Sequence, residues 1–311
     1  MRARIIANPR SGSGHHRQSL RQAVDILRAH GWEIELRFTD GPGAARHLAH
    51  EAVLAGVDVV IAAGGDGTIN EIIQALAGTY TALGVLPMGT INVWAREMDI
   101  PLAIKEAVQV LLHGQRRRID LGIANGRYFL LMAGVGLDAE VTRTIEHHRL
   151  KRWGLLAYGL VALRLSINYR GARVRLAMNG RQIRTRILQI VIGNTRLYAG
   201  AFHFTGQALC DDGLLDVCII RRQGFLSRLH VVFNALQHHP HLGPRVTVER
   251  CEQLYLDAPQ RLPVQLDGEP AGTTPLECHV VPATLDVLVP ATAPASLFSC
   301  ALVTPQEQTS G

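Results

Sequence analysis

Gly64-Gly65-Asp66-Gly67-Thr68-Ile69-Asn70-Glu71 stands between an apolar run, Asp58–Ala63 (DVVIAA), and a segment of helical spacing, Thr68–Ala77. A continuous apolar strand is what a parallel sheet covered on both faces requires. A Gly-rich turn from such a strand into a helix is where a doubly wound sheet binds its ligands. Working outward, Ala3–Ala7 reads as a short buried strand closed by the Asn8-Pro9 turn. His16–His30 follows with Leu20, Val24 and Leu27 on one helical face and Gly31 as C-cap. Glu33–Phe38 alternates as a strand, Ala44–Ala55 reads as a helix, and Ala82–Leu86 is another buried strand. This β-α-β-α order predicts an N-terminal doubly wound, Rossmann-like α/β domain over residues 1–121.

After about Asp120 the pattern changes. Short strand-like runs dominate: Arg127–Met132, Ala172–Met178, Gln182–Ile192, Leu215–Ile220, Arg245–Glu249, Leu254–Leu256 and Val264–Leu266. Asn125-Gly126 and Asn179-Gly180 are among the turns between them. Helical patterns interrupt at Asp138–Leu150, Trp153–Ser166 and Phe225–His238. The expectation is a second, mostly-β domain over 122–290, a return of 291–303 to the first domain, and a loose tail from 304 to 311.

Three loops carry the chemistry. In Gly64–Glu71 the glycines let the backbone approach a polyphosphate with its N–H groups turned inward, and the following helix adds its positive end. Asp66 would be repelled by bare phosphate, so a carboxylate here suits Mg²⁺. The same residues also suit a tight strand-to-helix turn capped by Thr68 or Asp66. The loop Asn8-Pro9-Arg10-Ser11-Gly12-Ser13-Gly14 leaves the first strand at the ligand edge, rich in N–H and hydroxyl donors. It lacks the G-K-[ST] ending of a Walker A loop and completes no G-x-G-x-x-G. Leu86-Pro87-Met88-Gly89-Thr90-Ile91-Asn92 follows the next buried strand.

N-P-x-S-G, G-G-D-G-T-x-N-E and L-P-x-G-T-x-N, in this order and spacing, resemble the catalytic domain of the diacylglycerol kinases, shared with sphingosine kinases and bacterial lipid kinases. The likeness continues through Val191–Asn194 (VIGN), Asp211–Asp216 (DDGLLD) and Gln265-Leu266-Asp267-Gly268-Glu269. The G-G-D-G-T core is also found in NAD kinases and, more loosely, phosphofructokinases, so an NAD kinase-like first domain followed by a β-sandwich-like second one is expected. The resemblance implies that Asn8, Pro9, Arg10, Ser11, Gly12, Thr39, Gly64, Gly65, Asp66, Gly67, Thr68, Ile69, Asn70 and Thr90 contact ATP, with Asp66 near its magnesium. It implies a structural Mg²⁺ held by Asp212 and the carbonyls of Leu209 and Leu214. It places Asp267 and Glu269 across an interdomain cleft, Glu269 as the base that takes the proton of a lipid hydroxyl and Asp267 positioning it or binding metal. From the residues alone Asp267-Gly268-Glu269 also reads as a plain β-turn. Many relatives have an acid where Val93 stands, after Asn92, which bears on substrate choice or rate. The expected activity is transfer of the γ-phosphate of ATP to a diacylglycerol-like or sphingoid lipid. The alternatives are an NAD kinase-like phosphotransferase and a nucleotide- or lipid-binding protein without turnover.

The bulk properties narrow the field. Of 311 residues, 47% are hydrophobic and 19% charged, a globular balance. The longest apolar stretches, near Tyr128–Leu137 and Gly154–Leu163, fall short of the ~20 residues of a membrane span. Five cysteines without a C-x-x-C pair argue against a zinc ribbon or disulfide framework and suit a reducing cytoplasm. A net charge of +6 implies an anionic partner. Arg116-Arg117-Arg118 precedes a predicted strand and has no aromatic partners for stacking bases, which points away from nucleic acid. His147–Trp153 (HHRLKRW) before an apolar segment suits peripheral contact with an anionic membrane, or simply a solvated turn. His238-His239-Pro240-His241 reads as a solvated loop. A homodimer is open to the chain.

Overall fold

The computed structural model describes residues 1–9, 15–147, 169–239 and 241–299. Strands β1 (Arg2–Ala7), β2 (Glu33–Phe38), β3 (Val59–Gly64) and β4 (Ala82–Pro87) run parallel in the order β2-β1-β3-β4. Every residue of β3 and β4 is buried, which explains their unbroken apolar sequences. Helix α1 (His15–Ala29) packs against α5 (Ile104–His113), and α2 (Ala44–Leu54) against α3 (Asp66–Leu76); the short α4 (Val93–Glu97) follows the third loop. In α3 the residues Ile69, Ile72, Ile73 and Leu76 recur at helical spacing and are all buried.

From β5 to β17 the described residues form a mostly antiparallel β-sandwich-like unit. It comprises β5 (Gln115–Ala124), β6 (Arg127–Phe129), β7 (Met132–Gly136), α6 (Leu137–His147), β8 (Ala172–Met178) and β9 (Arg181–Gly193). The small hairpin β10 (Leu197–Tyr198) and β11 (Phe202–His203) comes next, followed by β12 (Leu215–Arg221) and α7 (Phe225–Leu236). Strands β13 (Val246–Cys251), β14 (Gln253–Asp257), β15 (Pro263–Leu266), β16 (Glu269–Thr273) and β17 (Leu276–Val289) complete it. One core, including Ile5, Leu27, Ile61, Leu83 and Trp94, lies around the parallel sheet. A second, including Phe129, Ile190, Val217, Leu256 and Leu266, fills the sandwich. Burying each large apolar side chain contributes about 1.5–3 kcal/mol. The cores therefore hold the scaffold, and the polar network below sets the site.

Strand β17 joins the two parts. It pairs antiparallel with β14 and β5, and parallel with β4 at Val287 and Leu83. The sequence reading placed no strand there. Pro282 argues against one, and the structure accommodates it in a register shift between Val281 and Leu285. At that irregularity Asp120 Oδ1 accepts the Ala283 N–H at 2.7 Å, and its Oδ2 accepts the Gly213 N–H at 2.7 Å. Residues 121 and 122 fall inside β5, which pairs with β17 on both sides of them.

Two local readings are corrected. Arg127–Met132 is not one strand: it breaks between β6 and β7, where successive N–H groups turn to a carboxylate. Arg116–Arg118 does not precede a strand but lies within β5. There Arg116 and Arg118 pair with Asp286, and the Arg117 guanidinium sits 5.1 Å from the Phe298 ring centroid. The expected Trp153–Ser166 helix, the basic segment from residue 148, Cys300 and the tail lie outside the described residues. Cys210, Cys218, Cys251 and Cys278 are free and buried. No helix among the described residues is long and apolar enough to cross a membrane.

Candidate active site

The four parallel strands end together. Asn8 N–H donates to the Ala63 carbonyl at 3.1 Å, Thr39 N–H to Ala7 at 3.0 Å, and Met88 N–H to Gly64 at 2.9 Å. These bonds put Asn8, Thr39 and the loops that follow β3 and β4 on one edge of the sheet. The Gly64–Glu71 loop and the third loop, Leu86–Asn92, touch backbone to backbone: a Cβ on Gly89 would stand 2.5 Å from the Gly65 Cα, closer than real Cβ contacts come. Asn92 holds the third loop in shape, accepting the Gly89 N–H at 2.8 Å and donating to the Gly89 carbonyl at 2.9 Å.

Asp66 fastens these loops. Its Oδ2 accepts the Val93 N–H at 3.1 Å and its Oδ1 the Trp94 N–H at 3.2 Å, so it caps α4 rather than its own helix. Burial raises its pKa, and the backbone N–H donors pull against that rise. Val93 turns its side chain into the core and contributes its N–H to Asp66. Glu71 plays the matching part for α2, accepting the Gly43 N–H at 2.9 Å and the Ala45 N–H at 3.0 Å.

Across from this edge, the turn between β15 and β16 brings Asp267 and Glu269 to the start of α3. Asp267 has φ 48° and a buried carboxylate with four donors. Oδ1 accepts the N–H groups of Leu131 and Met132, each at 2.9 Å. Oδ2 accepts the Leu130 N–H at 2.8 Å and the Asn70 amide at 2.9 Å. Burial raises its pKa, against the lowering effect of these donors. Glu269 is differently placed. A Cβ on Gly67 would lie 2.8 Å from Glu269 Oε1, so this carboxylate stands directly over the first turn of α3. Its Oε2 accepts Arg127 Nη2 at 2.8 Å, and the same nitrogen reaches Asn70 Oδ1 at 2.7 Å. Arg127 is the residue that sequence reasoning missed; it sits one position after an Asn-Gly turn, and no motif marks it.

The other expected residues are spread over several separate segments. Asn8 is half-buried and Pro9 exposed, while Arg10, Ser11 and Gly12 lie outside the described residues. A cavity of about 450 Å³ beside Pro9 is lined also by Arg17, Leu20, Arg21, Leu36 and Phe38. Thr68 is buried against Gly64, Ile69 points its side chain into the core, Thr39 is half-buried, and Thr90 is exposed. Leu209, Asp212 and Leu214 are in the loop before β12. Asp212 Oδ1 accepts the Leu214 N–H at 3.1 Å, and Arg250 lies 3.6 Å from Oδ2. Beside them Asp216 is buried, its Oδ2 3.5 Å from Arg250 Nε, and its pKa is pushed up to about 6, chiefly by burial, with the Arg250 charge pulling against that rise. Among the described residues no cluster of three or more His, Cys, Asp or Glu side chains could hold a metal.

Glu97, at the end of α4, ties the third loop to the sandwich. Its carboxylate accepts the Arg196 and Leu197 N–H groups, both at 2.8 Å. Burial raises its pKa to about 7, partly offset by those two donors. An acid whose folded pKa is raised keeps its proton while the unfolded chain ionises. Stability from this group is therefore unaffected below about pH 4.5 and falls as pH rises from there to about 7, by about 3 kcal/mol in all. Urea unfolding at pH 5 and pH 8 should show a larger fall for the wild type than for Glu97→Gln, and equal falls would refute the shift.

Comparison with known proteins agrees with this architecture. Residues 2–124 match the profile described as the diacylglycerol kinase catalytic domain, and residues 132–289 match the YegS C-terminal NAD kinase beta sandwich-like domain. The chain is 31% identical over 279 residues to a diacylglycerol kinase of Bacillus subtilis (strain 168), covering 89% of this chain and 92% of that one. It is 34% identical over 280 residues to a probable lipid kinase YegS-like protein of Pseudomonas savastanoi pv. phaseolicola (strain 1448A / Race 6), covering 89% and 90%. A crystal structure of a diacylglycerol kinase from Bacillus anthracis str. Sterne shares the fold with a TM-score of 0.72 at 20% identity, over 93% of this chain and 97% of that one. With both domain profiles in sequence and such identity over most of its length, the chain belongs to the diacylglycerol kinase family, which includes the bacterial lipid kinases.

Proposed function

We propose that the protein is an ATP- and Mg²⁺-dependent lipid kinase that phosphorylates a hydroxyl of a diacylglycerol-like or sphingoid lipid. The observation that carries this reading is the position of Glu269 over Gly67, which sets a carboxylate with one unshared oxygen against the N-terminal end of α3, an end whose N–H groups suit phosphate. The nucleotide phosphates lie along the three loops at the strand ends. A lipid hydroxyl enters from the sandwich side beside Glu269. Its oxygen bonds to the γ-phosphorus as the bond to the β–γ bridging oxygen breaks. ADP leaves, and the hydroxyl proton passes to Glu269. Such transfer rests on in-line positioning and charge neutralisation. Arg127 holds Oε2 and leaves Oε1 toward the helix.

Asp267 has a positioning part in this scheme, since both its oxygens are filled by donors. The same holds for Asp66, which shapes the loops on which the nucleotide rests. Magnesium bound with the nucleotide supplies positive charge to the transferring phosphoryl group. A second, structural Mg²⁺ suits the loop before β12: the Asp212 carboxylate, which Arg250 approaches only to 3.6 Å, and the carbonyls of Leu209 and Leu214 are hard oxygen donors.

The test is transfer of labelled γ-phosphate from ATP to diacylglycerol, a sphingoid base, ceramide and phosphatidylglycerol in mixed micelles, with NAD as a further acceptor. A labelled lipid is expected. Labelled NAD alone, or no labelled product while ATP is bound, would overturn the proposal.

A further inference from the structure

Helix α7 is inverted relative to an ordinary surface helix. Val231, Ala235 and Asn234 face inward, and Asn234 donates to the His241 carbonyl at 3.1 Å. Phe225, Leu226, Leu229, Val232, Phe233 and Leu236 face outward in one continuous helical stripe, with Leu226 79% and Phe233 59% exposed. Surface helices normally turn that stripe to the core. A contiguous apolar patch of this kind marks an interaction site. Its surroundings are cationic. Residues 221–245 hold Arg221, Arg222, Arg228 and Arg245, four histidines, and no aspartate or glutamate. Exposed Arg222, just before the helix, and exposed Arg245, beyond it, are fastened together, Arg245 donating to the Arg222 carbonyl at 2.9 Å.

We infer that α7 is a membrane-docking helix that lies in the plane of an anionic phospholipid surface, its apolar stripe in the acyl boundary and its arginines on lipid phosphates. A basic, apolar-faced helix is the pattern of interfacial binding. A second copy of the chain would present the same acid-free cationic surface, so charge favours the lipid. The helix is also joined to the site. It packs against β11, and His238, just beyond it, places its ring centroid 3.7 Å from that of His203. At the tip of the same hairpin, a Cβ on Gly200 would stand 2.7 Å from Ile91 of the third loop. The membrane-facing stripe is thus separated from the nucleotide edge by one hairpin. The inference deepens the lipid-kinase reading and rests on it for its purpose, although docking itself requires no turnover.

The experiment is flotation of the full chain, without ATP, on vesicles of phosphatidylglycerol and phosphatidylcholine and on phosphatidylcholine alone. Wild type should float with the anionic vesicles. The double variant Leu226→Ser/Phe233→Ser should bind them at least about tenfold more weakly. Arg222→Gln/Arg245→Gln should lose about fivefold per arginine on anionic vesicles only. Circular dichroism confirms that both variants are folded, as expected for exposed positions. Wild type that does not float, or variants that float as well as wild type, would overturn the assignment. So would a solution dimer that Leu226→Ser/Phe233→Ser splits while vesicle binding is unchanged, since the stripe would then belong to a second copy. Flotation of a chain that labels no lipid would leave the docking helix standing and reject the kinase reading alone.

Discussion

Glu269→Gln is expected to lower kcat about 10²–10⁴-fold, the usual contribution of a positioned general base, while nucleotide binding and stability stay near wild type. Glutamine has the size of glutamate and offers Arg127 an oxygen in place of Oε2, so the Arg127–Asn70 contact survives. What it lacks is a site for the hydroxyl proton. The ion pair it removes is about one-third exposed on each side, and such pairs contribute about 0–1 kcal/mol. The readouts are phosphoryl transfer at saturating lipid, ATP titration by calorimetry, and urea unfolding. Turnover within about threefold of wild type would end the assignment of Glu269 as base. A large loss of ATP affinity would instead make it a nucleotide-site residue.

The sequence made the first half of this architecture legible because each signal was local. Asp58–Ala63 has no polar interruption after its first residue, and β3 and β4 are buried along their whole lengths. The loops after β1, β3 and β4 could therefore be assigned to one edge before any contact was known. The late motif was legible only as a motif. Nothing in Asp267-Gly268-Glu269 tells that the two carboxylates have opposite environments, one filled by four donors and the other open over Gly67. That difference comes from residues far away in sequence: Leu130–Met132, whose N–H groups turn away from strand pairing, and Gly67, whose missing side chain makes room. Arg127 was illegible for the same reason, since its partners Asn70 and Glu269 lie on other elements. Strand β17 was lost to Pro282, which a local reading treats as a breaker and the fold absorbs in a shifted register. Asp66 shows the reverse case. Its motif was plain, but its carboxylate serves the start of α4, 27 and 28 residues on.

Asp267→Asn should destabilise the fold by about 2–6 kcal/mol, the change expected when two buried donors lose their acceptor at about 1–3 kcal/mol each. Asparagine is the fairest replacement because it tolerates the left-handed backbone that Asp267 adopts, so strain is not introduced with the amide. Its one oxygen can serve either the Leu131 and Met132 N–H groups or the Leu130 N–H and the Asn70 amide. Its NH₂ must then face the other pair, donor against donor. The break between β6 and β7 depends on these bonds, and so does the turn that carries Glu269. Urea unfolding should show a lower midpoint with unchanged m, and the folded fraction should turn over slowly because Glu269 is no longer held over Gly67. An unfolding free energy within about 0.5 kcal/mol of wild type would mean that the four contacts contribute little to stability, since surface-like substitutions fall in that range. Set beside Glu269→Gln, the pair of variants separates two functions of one turn. Loss of turnover with stability intact belongs to the residue that meets the substrate. Loss of stability first belongs to the residue that holds it there.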